Sequence, residues 1–458
     1  MRPITRDRPG KANERSLNEA FYAKKDWLLF RGRHQPGFTG PQIFFRNQNR
    51  KSAALTPILA VNTATCQSYR NFTRRHRYLG SLAKSLLLTP IQIAWIMRSR
   101  AAHAKRVFGR SYTGQYADMM RAWWFADLQP QEYYNACLAQ YLGSDALYEF
   151  LDTQSLFRTV AVLQLDLFGE PPVLLNDKAV FGQWLRDNQL PGAREVAVKS
   201  DEMLLDAQQL NDLGDQIIIK PCKSGFGRDI EVWHKNSNGA WGQGDHTHTT
   251  QQLIEHITAL AGQTFGGLIV QERLHNHRDI AELSGPALAT CRFVTIHNQA
   301  GVPEIAAHIW RMGWPGSNID NFNAGGFYWL TNDLETGSFM YGIDRQTEAT
   351  QRLLTRHPVT GAHMVGSSHP HYARLRDLVL AAHAKLPDIM LIGWDVAMTS
   401  DGPKLIEMNT PCSFTPRIQR ATDGLGRSRC GEILAHYAEK WLARRAATPS
   451  QSSATRST

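Results

Sequence analysis

LIGWDVAMTSDGPKLIEMN, residues 391–409, reads as a β-hairpin. Two apolar runs flank Ser400-Asp401-Gly402, a three-residue loop with glycine where the backbone needs a left-handed conformation. With the hairpin centred on Asp401, the numbers of cross-strand partners sum to 802. Asp395 and Glu407 then lie directly opposite each other on one face, and Asn409 follows two places on, on the same side. Like charges so placed repel and weaken a bare sheet. A divalent cation with the oxygen ligands that Mg²⁺ prefers would offset the repulsion. The reading without a metal leaves both carboxylates screened by solvent, and the apolar strands around them speak against it.

A second stretch, IIIKPCKSGFGRDIEVW at 217–233, complements the first. An apolar strand ends on Lys220-Pro221 and runs into a basic loop holding Ser224, Gly225 and Gly227, then turns apolar again. Such a loop suits a flap of backbone N–H groups that closes over phosphates. A strand-end lysine, a glycine loop and a later Asp/Glu/Asn hairpin together describe a nucleoside-triphosphate site. The chain has no G-x-x-x-x-G-K-[ST] and no G-x-G-x-x-G, so the P-loop and Rossmann readings lose their signatures. The kinase H-R-D and D-F-G pieces are absent too.

The composition, 42% hydrophobic and 20% charged over 458 residues, is that of a soluble globular protein with room for two or three domains. Six scattered cysteines form no C-x-x-C pair, which speaks against a disulfide framework and a structural zinc site and fits a reducing cytoplasm. No signal peptide is read at the start of the chain. The net charge of +10 is unevenly spread: residues 1–110 hold 22 Lys and Arg against 4 Asp and Glu, and the remainder is acidic. That basic part reads either as a solvated leader or as a contact for a polyanion or an anionic membrane surface. Sequence-specific nucleic acid binding is not expected.

Residues 1–50 read as a basic, largely irregular leader, 51–165 as a helical region, 166–445 as alternating strands and helices, and 446–458 as a loose polar tail. Within the helical region, LLLTPIQIAWIM at 86–97 has about a dozen residues, against the roughly 20 a spanning helix needs. It reads first as a helix buried against its neighbours, and second as one lying on an anionic membrane, given the arginines and lysines on either side. SDEMLLDAQQLNDL reads as a helix capped by Ser200. Trp123, Trp124, Phe125, Tyr133 and Tyr134 read as helical core. The histidines of HNH at 275–277 and HPH at 369–371 lack spaced zinc partners and are not read as a metal site.

The order of these parts resembles the ATP-grasp superfamily, an α+β fold in which two lobes grip ATP. GPALATCRFVTI, DNFNAGGFYWLTNDLETG, HPVTGAHMVG and IGWDVAMTSDGPKLIEMN are similar to the sugar-transfer-associated ATP-grasp domain, a group related to α-L-glutamate ligases. GRSYTGQYADMM and EYYNACLAQYL resemble the helical region that precedes it, so the likeness spans roughly residues 105–440.

The resemblance implies ATP and Mg²⁺ as cofactors and assigns roles residue by residue. Lys178 and Lys220 would bind the ATP phosphates, with the loop of Ser224, Gly225 and Gly227 folded over them. Glu272 and Leu274 would sit by the nucleoside in the linker between lobes. Arg292 and Arg311 would be catalytic, and Asp395, Glu407 and Asn409 would hold Mg²⁺. Asp320, Asn321, Gly325 and Gly326 would line the acceptor side. The implied activity is ATP-dependent ligation of a small carboxylic acid to an amine or thiol through an acyl phosphate. The substrate would be sugar-linked or a cell-envelope precursor, and the location cytoplasmic or peripheral to the inner face of the membrane. A phosphotransferase and a non-catalytic ATP-binding regulator are the alternatives.

Overall fold

The computed structural model describes residues 53–72, 75–126, 128–141, 145–171, 177–199, 205–223, 229–285, 287–314, 322, 325–410, 412 and 414–447. Ser200, the glycine loop at 224–228, Asp320 and Asn321 lie outside the described residues.

Helices α1 (Leu55–Phe72), α2 (Arg75–Phe108), α3 (Tyr112–Ala126), α4 (Pro130–Asn135) and α5 (Thr153–Leu163) come first. They are followed by α6 (Lys178–Asp187), α7 (Ala207–Asp212), α8 (Thr250–Gln263), α9 (Arg278–Ser284), α10 (Arg345–Thr350), α11 (Tyr372–Ala384) and α12 (Arg429–Ala447). One antiparallel sheet comprises β1 (Glu195–Val198), β2 (Gln216–Pro221), β3 (Glu231–Lys235), β4 (Trp241–Gln243), β5 (His246–His248) and β6 (Leu268–Glu272), in the order β1-β6-β2-β3-β4-β5. The other comprises β7 (Thr290–His297), β8 (Pro303–Met312), β9 (Phe327–Asp333), β10 (Ser338–Ile343), β11 (Leu391–Thr399) and β12 (Gly402–Asn409), in the order β10-β9-β8-β7-β11-β12. With the helices that cover them, the sheets form an α+β architecture.

Alternation along β2 sets the first lobe. Ile217 and Ile219 face a core with Leu210 of α7 and Leu253, Ile254 and Ile257 of α8, which leaves Ile218 and Lys220 on the opposite face. Helix α8 starts in a reciprocal capping box between Thr249 and Gln252. The α7 helix begins later than its sequence suggests. Asp206, not Ser200, is its cap, because Gln209 stands three residues on and closes a second such box just ahead of Leu210.

The second sheet is covered on both faces, so all nine residues of β11 are buried and its apolar run is unbroken. On one face Phe293, Trp310, Trp329 and Trp394 pack with Leu375 and Val379 of α11 and Phe181 and Leu185 of α6. On the other, Val294, Ile296 and Leu330 pack with Leu55 and Ile58 of α1, Leu156 and Val160 of α5, and Ile433 and Trp441 of α12. The N-terminal helices α1 and α5 therefore share a core with this sheet. Helices α2 to α4 form a further core around Ile93, Ile96, Met119, Tyr133 and Tyr134.

The stretch at 86–97 lies within α2 and is only half packed. Thr89, Ile93 and Ile96 are buried, whereas Leu87, Leu88, Ile91 and Trp95 are 71%, 47%, 67% and 73% exposed. The expectation of a helix buried against its neighbours is thus corrected for one side of α2. Among the described residues, no helix is long and apolar enough to cross a membrane.

Candidate active site

The hairpin places its carboxylates as expected, by a different route. Its turn has two residues, Ser400 and Asp401, with Thr399 paired to Gly402 and Val396 to Leu405. Gly402 has a φ of +107°, which glycine alone adopts at little cost. Ile406 is then an extra residue, a β-bulge, that shifts the register so that Asp395 opposes Glu407 and Gly393 opposes Asn409. The shorter turn and the bulge cancel.

Asp395 is buried and is neutralised from β7 beside it and from β8 beyond. Arg292 of β7, its cross-strand partner, grips the carboxylate with Nε on Oδ1 and with Nη2 on Oδ2 at 2.9 Å. Arg311 of β8 adds its Nη2 at 2.9 Å from Oδ2, and its own position is held by Thr290 Oγ1 at 3.0 and 2.6 Å. Burial alone would push the Asp395 carboxyl up; the two guanidiniums outweigh it and hold it at about 2. The like-charge repulsion expected of Asp395 and Glu407 is therefore largely met by arginine.

Glu407 is the meeting point of both lobes. Lys178 Nζ approaches its Oε1 at 3.8 Å, and Glu407 acts electrostatically on Lys220 and on Arg292 as well. Lys178 is the first residue of α6, which Asp177 caps by accepting N–H bonds from Ala179 and Val180. Its backbone N–H donates to Cys222 O at 3.1 Å, tying the helix start to the end of β2. Cys222 and Lys223 thus have structural work here: the cysteine is buried, and Lys223 Nζ lies 3.5 Å from Asp177.

Lys220 stands on the face of β2 opposite Ile217 and Ile219, and its Nζ donates to Gln271 Oε1 at 2.9 Å. Gln271 passes the bond on, donating Nε2 to Glu195 Oε2 at 3.0 Å. The register sets this relay, since Gln271 opposes Ile218 on one side and Glu195 on the other. Helix α6 crosses above at Gly182, where a Cβ would fall 1.6 Å from Glu195 Oε1. Burial pulls Lys220 below the usual lysine range and pushes Glu195 above the usual carboxyl range. Sequence reading found neither Gln271 nor Glu195.

Glu272, at the end of β6, is buried and already engaged. It accepts from Arg194 N at 2.8 Å, Arg194 Nε at 2.6 Å and Lys404 Nζ at 3.2 Å. Burial would raise its carboxyl, but these donors hold it below the usual range. Lys404 belongs to β12, so the contact ties the two sheets. Leu274 lies half-buried in the linker that follows. Gly325, with φ of +106°, and Gly326 lead into β9.

The residues fit a hard cation unequally. A carboxylate offers roughly four lone-pair sites, and arginine donors take three of those on Asp395. Glu407 is partly open, and the buried Asn409 Nδ2 has no hydrogen-bond partner among the described residues. Turning that amide over would present its oxygen instead. Glu407 and Asn409, two residues apart on one strand, are thus the better oxygen donors, with one Asp395 oxygen in reserve.

Residues 170–425 match the family model described as sugar-transfer-associated ATP-grasp, more than half of the chain. The chain belongs to the sugar-transfer-associated ATP-grasp family. This makes it an ATP-grasp enzyme with the α+β fold of that class. No curated protein matches it in sequence. Among solved structures, D-alanine–D-alanine ligase from Bacillus anthracis is similar at 12% identity and TM-score 0.33, over 60% of this chain and 69% of that one. A RimK domain ATP-grasp protein from Sphaerobacter thermophilus is similar at 12% identity and TM-score 0.32, over 61% and 76%. The biotin carboxylase domain of 2-oxoglutarate carboxylase from Hydrogenobacter thermophilus, solved with MgADP, is similar at 13% identity and TM-score 0.35, over 58% and 46%.

Proposed function

We propose that this ATP-grasp enzyme joins a small carboxylic acid to an amine or thiol through an acyl phosphate. The observation that carries the reading is the convergence of Lys178, at the start of α6, and Lys220 of the first sheet with Glu407 and Arg292 of the second. A carboxylate is a poor acyl donor at neutral pH, and ATP supplies the phosphoryl group that makes it a good one. Lys178 and Lys220 would neutralise the phosphates, which costs little reorganisation because the Gln271–Glu195 relay already holds Lys220 in place. Glu407 and Asn409 would hold Mg²⁺. Arg292 and Arg311 are fixed by Asp395, so they present a rigid positive surface to the acyl phosphate or its acid precursor. Ser224, Gly225 and Gly227 would close over the phosphates. Glu272 and Leu274 would border the nucleoside, and Asp320, Asn321, Gly325 and Gly326 the acceptor. The acid would be sugar-linked, as the family's description suggests.

The test is turnover of ATP with Mg²⁺ against pools of amino acids, sugar acids and amines, with hydroxylamine added as a trap. Ligation predicts substrate-dependent ADP and phosphate and a trapped hydroxamate. AMP and pyrophosphate would refute it, and a stable phosphorylated product without hydroxamate would assign a phosphotransferase instead.

We further propose that α2 lies against an anionic membrane surface. Its outward face carries Leu87, Leu88, Ile91 and Trp95 and then, along the same helix, exposed Arg98, Lys105 and Arg106. Apolar side chains followed by basic ones suit a bilayer with acidic headgroups.

A further inference from the structure

Two histidines far apart in sequence, His277 and His371, meet in the fold, and an acidic residue lies between them. His277 immediately precedes α9, Asp279 is its second residue, and His371 immediately precedes α11. Asp279 Oδ2 is 3.0 Å from His371 Nε2 and 3.4 Å from His277 Nδ1. The two rings are edge-on at 4.6 Å between centroids, and one ligand atom from each of the three residues lies within 4.8 Å of the others.

We propose that His277, Asp279 and His371 form a Zn²⁺ site outside the ATP cleft. Zn²⁺ takes imidazole nitrogen and carboxylate oxygen at about 2.0–2.2 Å in tetrahedral geometry, which sets ligand atoms roughly 3.3 Å apart. The two nitrogen–oxygen separations bracket that value without any metal to impose it. Both histidines are half-buried and Asp279 is exposed, so a water has access to the fourth position. Asp279 Oδ1 faces Arg278 Nε at 3.5 Å, which leaves Oδ2 as the ligand.

The surroundings hold the ligands in place. His277 N donates to Met398 O at 3.0 Å on β11, and Ile280 buries α9 against the sheet. His371 N donates to His369 Nδ1 at 3.0 Å, and Tyr372 and Leu375 anchor α11 on the same core. His277 Nδ1 also accepts the Asp279 N–H at 3.3 Å. That contact is long, so giving its single lone pair to a cation costs little. Two imidazoles favour Zn²⁺ or Co²⁺ over Mg²⁺, which separates this site from the oxygen donors of the cleft. Bound metal would staple α9, just after the interlobe linker, to α11.

The experiment strips the full chain with a chelator, removes the chelator, and titrates with Co²⁺ while recording visible absorption and thermal melting. The proposal expects one equivalent of Co²⁺ with the intense bands of a tetrahedral site, displaced by Zn²⁺, and a higher melting temperature with either metal. Asp279→Asn and His371→Ala should each weaken binding at least about tenfold, while melting normally without metal. Glu407→Gln should leave the bands unchanged. Absence of tetrahedral bands at micromolar Co²⁺, or equal uptake by a His277→Ala/His371→Ala double variant, would overturn it.

Discussion

Arg292 and Asp395 oppose each other on paired strands, and the guanidinium holds both carboxylate oxygens, with Nη2 2.9 Å from Oδ2. Arg311 reaches the same Oδ2, so two cations in the second sheet depend on one buried acid. Asp395→Asn keeps the shape and removes the charge. Breaking a buried pair by removing one partner costs about 3–5 kcal/mol, so denaturant unfolding at neutral pH should show a loss of that order.

The same carboxyl gives a pH signature. Its folded pKa of about 2 lies below the roughly 3.9 of an unfolded aspartate. A depressed carboxyl contributes stability that is present above the unfolded value and is lost as pH falls through the folded one. Unfolding free energy measured from pH 5 down to 2 should fall more steeply in the wild type than in Asp395→Asn. Parallel curves would mean that the ion pair does not persist in solution.

Lys220 should act in the opposite pH range. Burial lowers its pKa, so it loses its proton at lower pH than an ordinary lysine would. For a lysine lowered in this way the folded state favours the neutral form, so its cost to stability fades as pH rises through the folded pKa. ATP binding should weaken over that same range. Lys220→Ala should lower kcat roughly 10²-fold or more and remove this alkaline limb, whereas Lys220→Arg should retain charge and shift the limb upward. An unchanged alkaline limb in Lys220→Ala would assign it to another group.

The hairpin was legible from residue numbers because pairing within a hairpin is local. Even there the turn was misread by one residue and the Ile406 bulge restored the pairing. The relay from Lys220 through Gln271 to Glu195 was not legible, since it needs β1, β6 and β2 to be neighbours although Glu195 and Gln271 are 76 residues apart. The same holds for Arg292 and Asp395, 103 residues apart. The Asp206 cap was present in the sequence as an acid three residues ahead of Gln209, but Ser200 followed by Asp201 and Glu202 offered a cap and acidic first turn six residues earlier. Strand β9 offers no alternation to read, since its first five residues are all buried, and β4 and β5 are only three residues long.

Asn409 should separate stability from function. Its buried Nδ2 has no partner among the described residues, and an unmet buried donor costs about 1–3 kcal/mol. Asn409→Leu, similar in volume, should therefore leave the melting temperature unchanged or raise it while abolishing Mg²⁺-dependent ATP turnover. A destabilised Asn409→Leu protein would show that the amide is satisfied in solution, and full turnover would remove Asn409 from the cation site.

The outward face of α2 makes the last prediction. Leu87, Ile91 and Trp95 are spaced four residues apart on one side of the helix, with Arg98, Lys105 and Arg106 exposed beyond them. Apolar insertion and headgroup attraction then act together, so the protein should co-sediment with vesicles containing phosphatidylserine and much less with phosphatidylcholine alone. The difference should shrink with salt, because each basic residue near the surface is worth only about 1 kcal/mol and is screened within a Debye length. Ile91→Asp with Trp95→Asp should abolish sedimentation on both kinds of vesicle while leaving ATP turnover intact, since both side chains are exposed and the core that α2 joins contains none of the cleft residues named above. Blue-shifted tryptophan emission on binding, lost in Trp95→Phe, would place that ring in the interface. Equal binding by the wild type and the double aspartate variant would mean that some other surface meets the lipid.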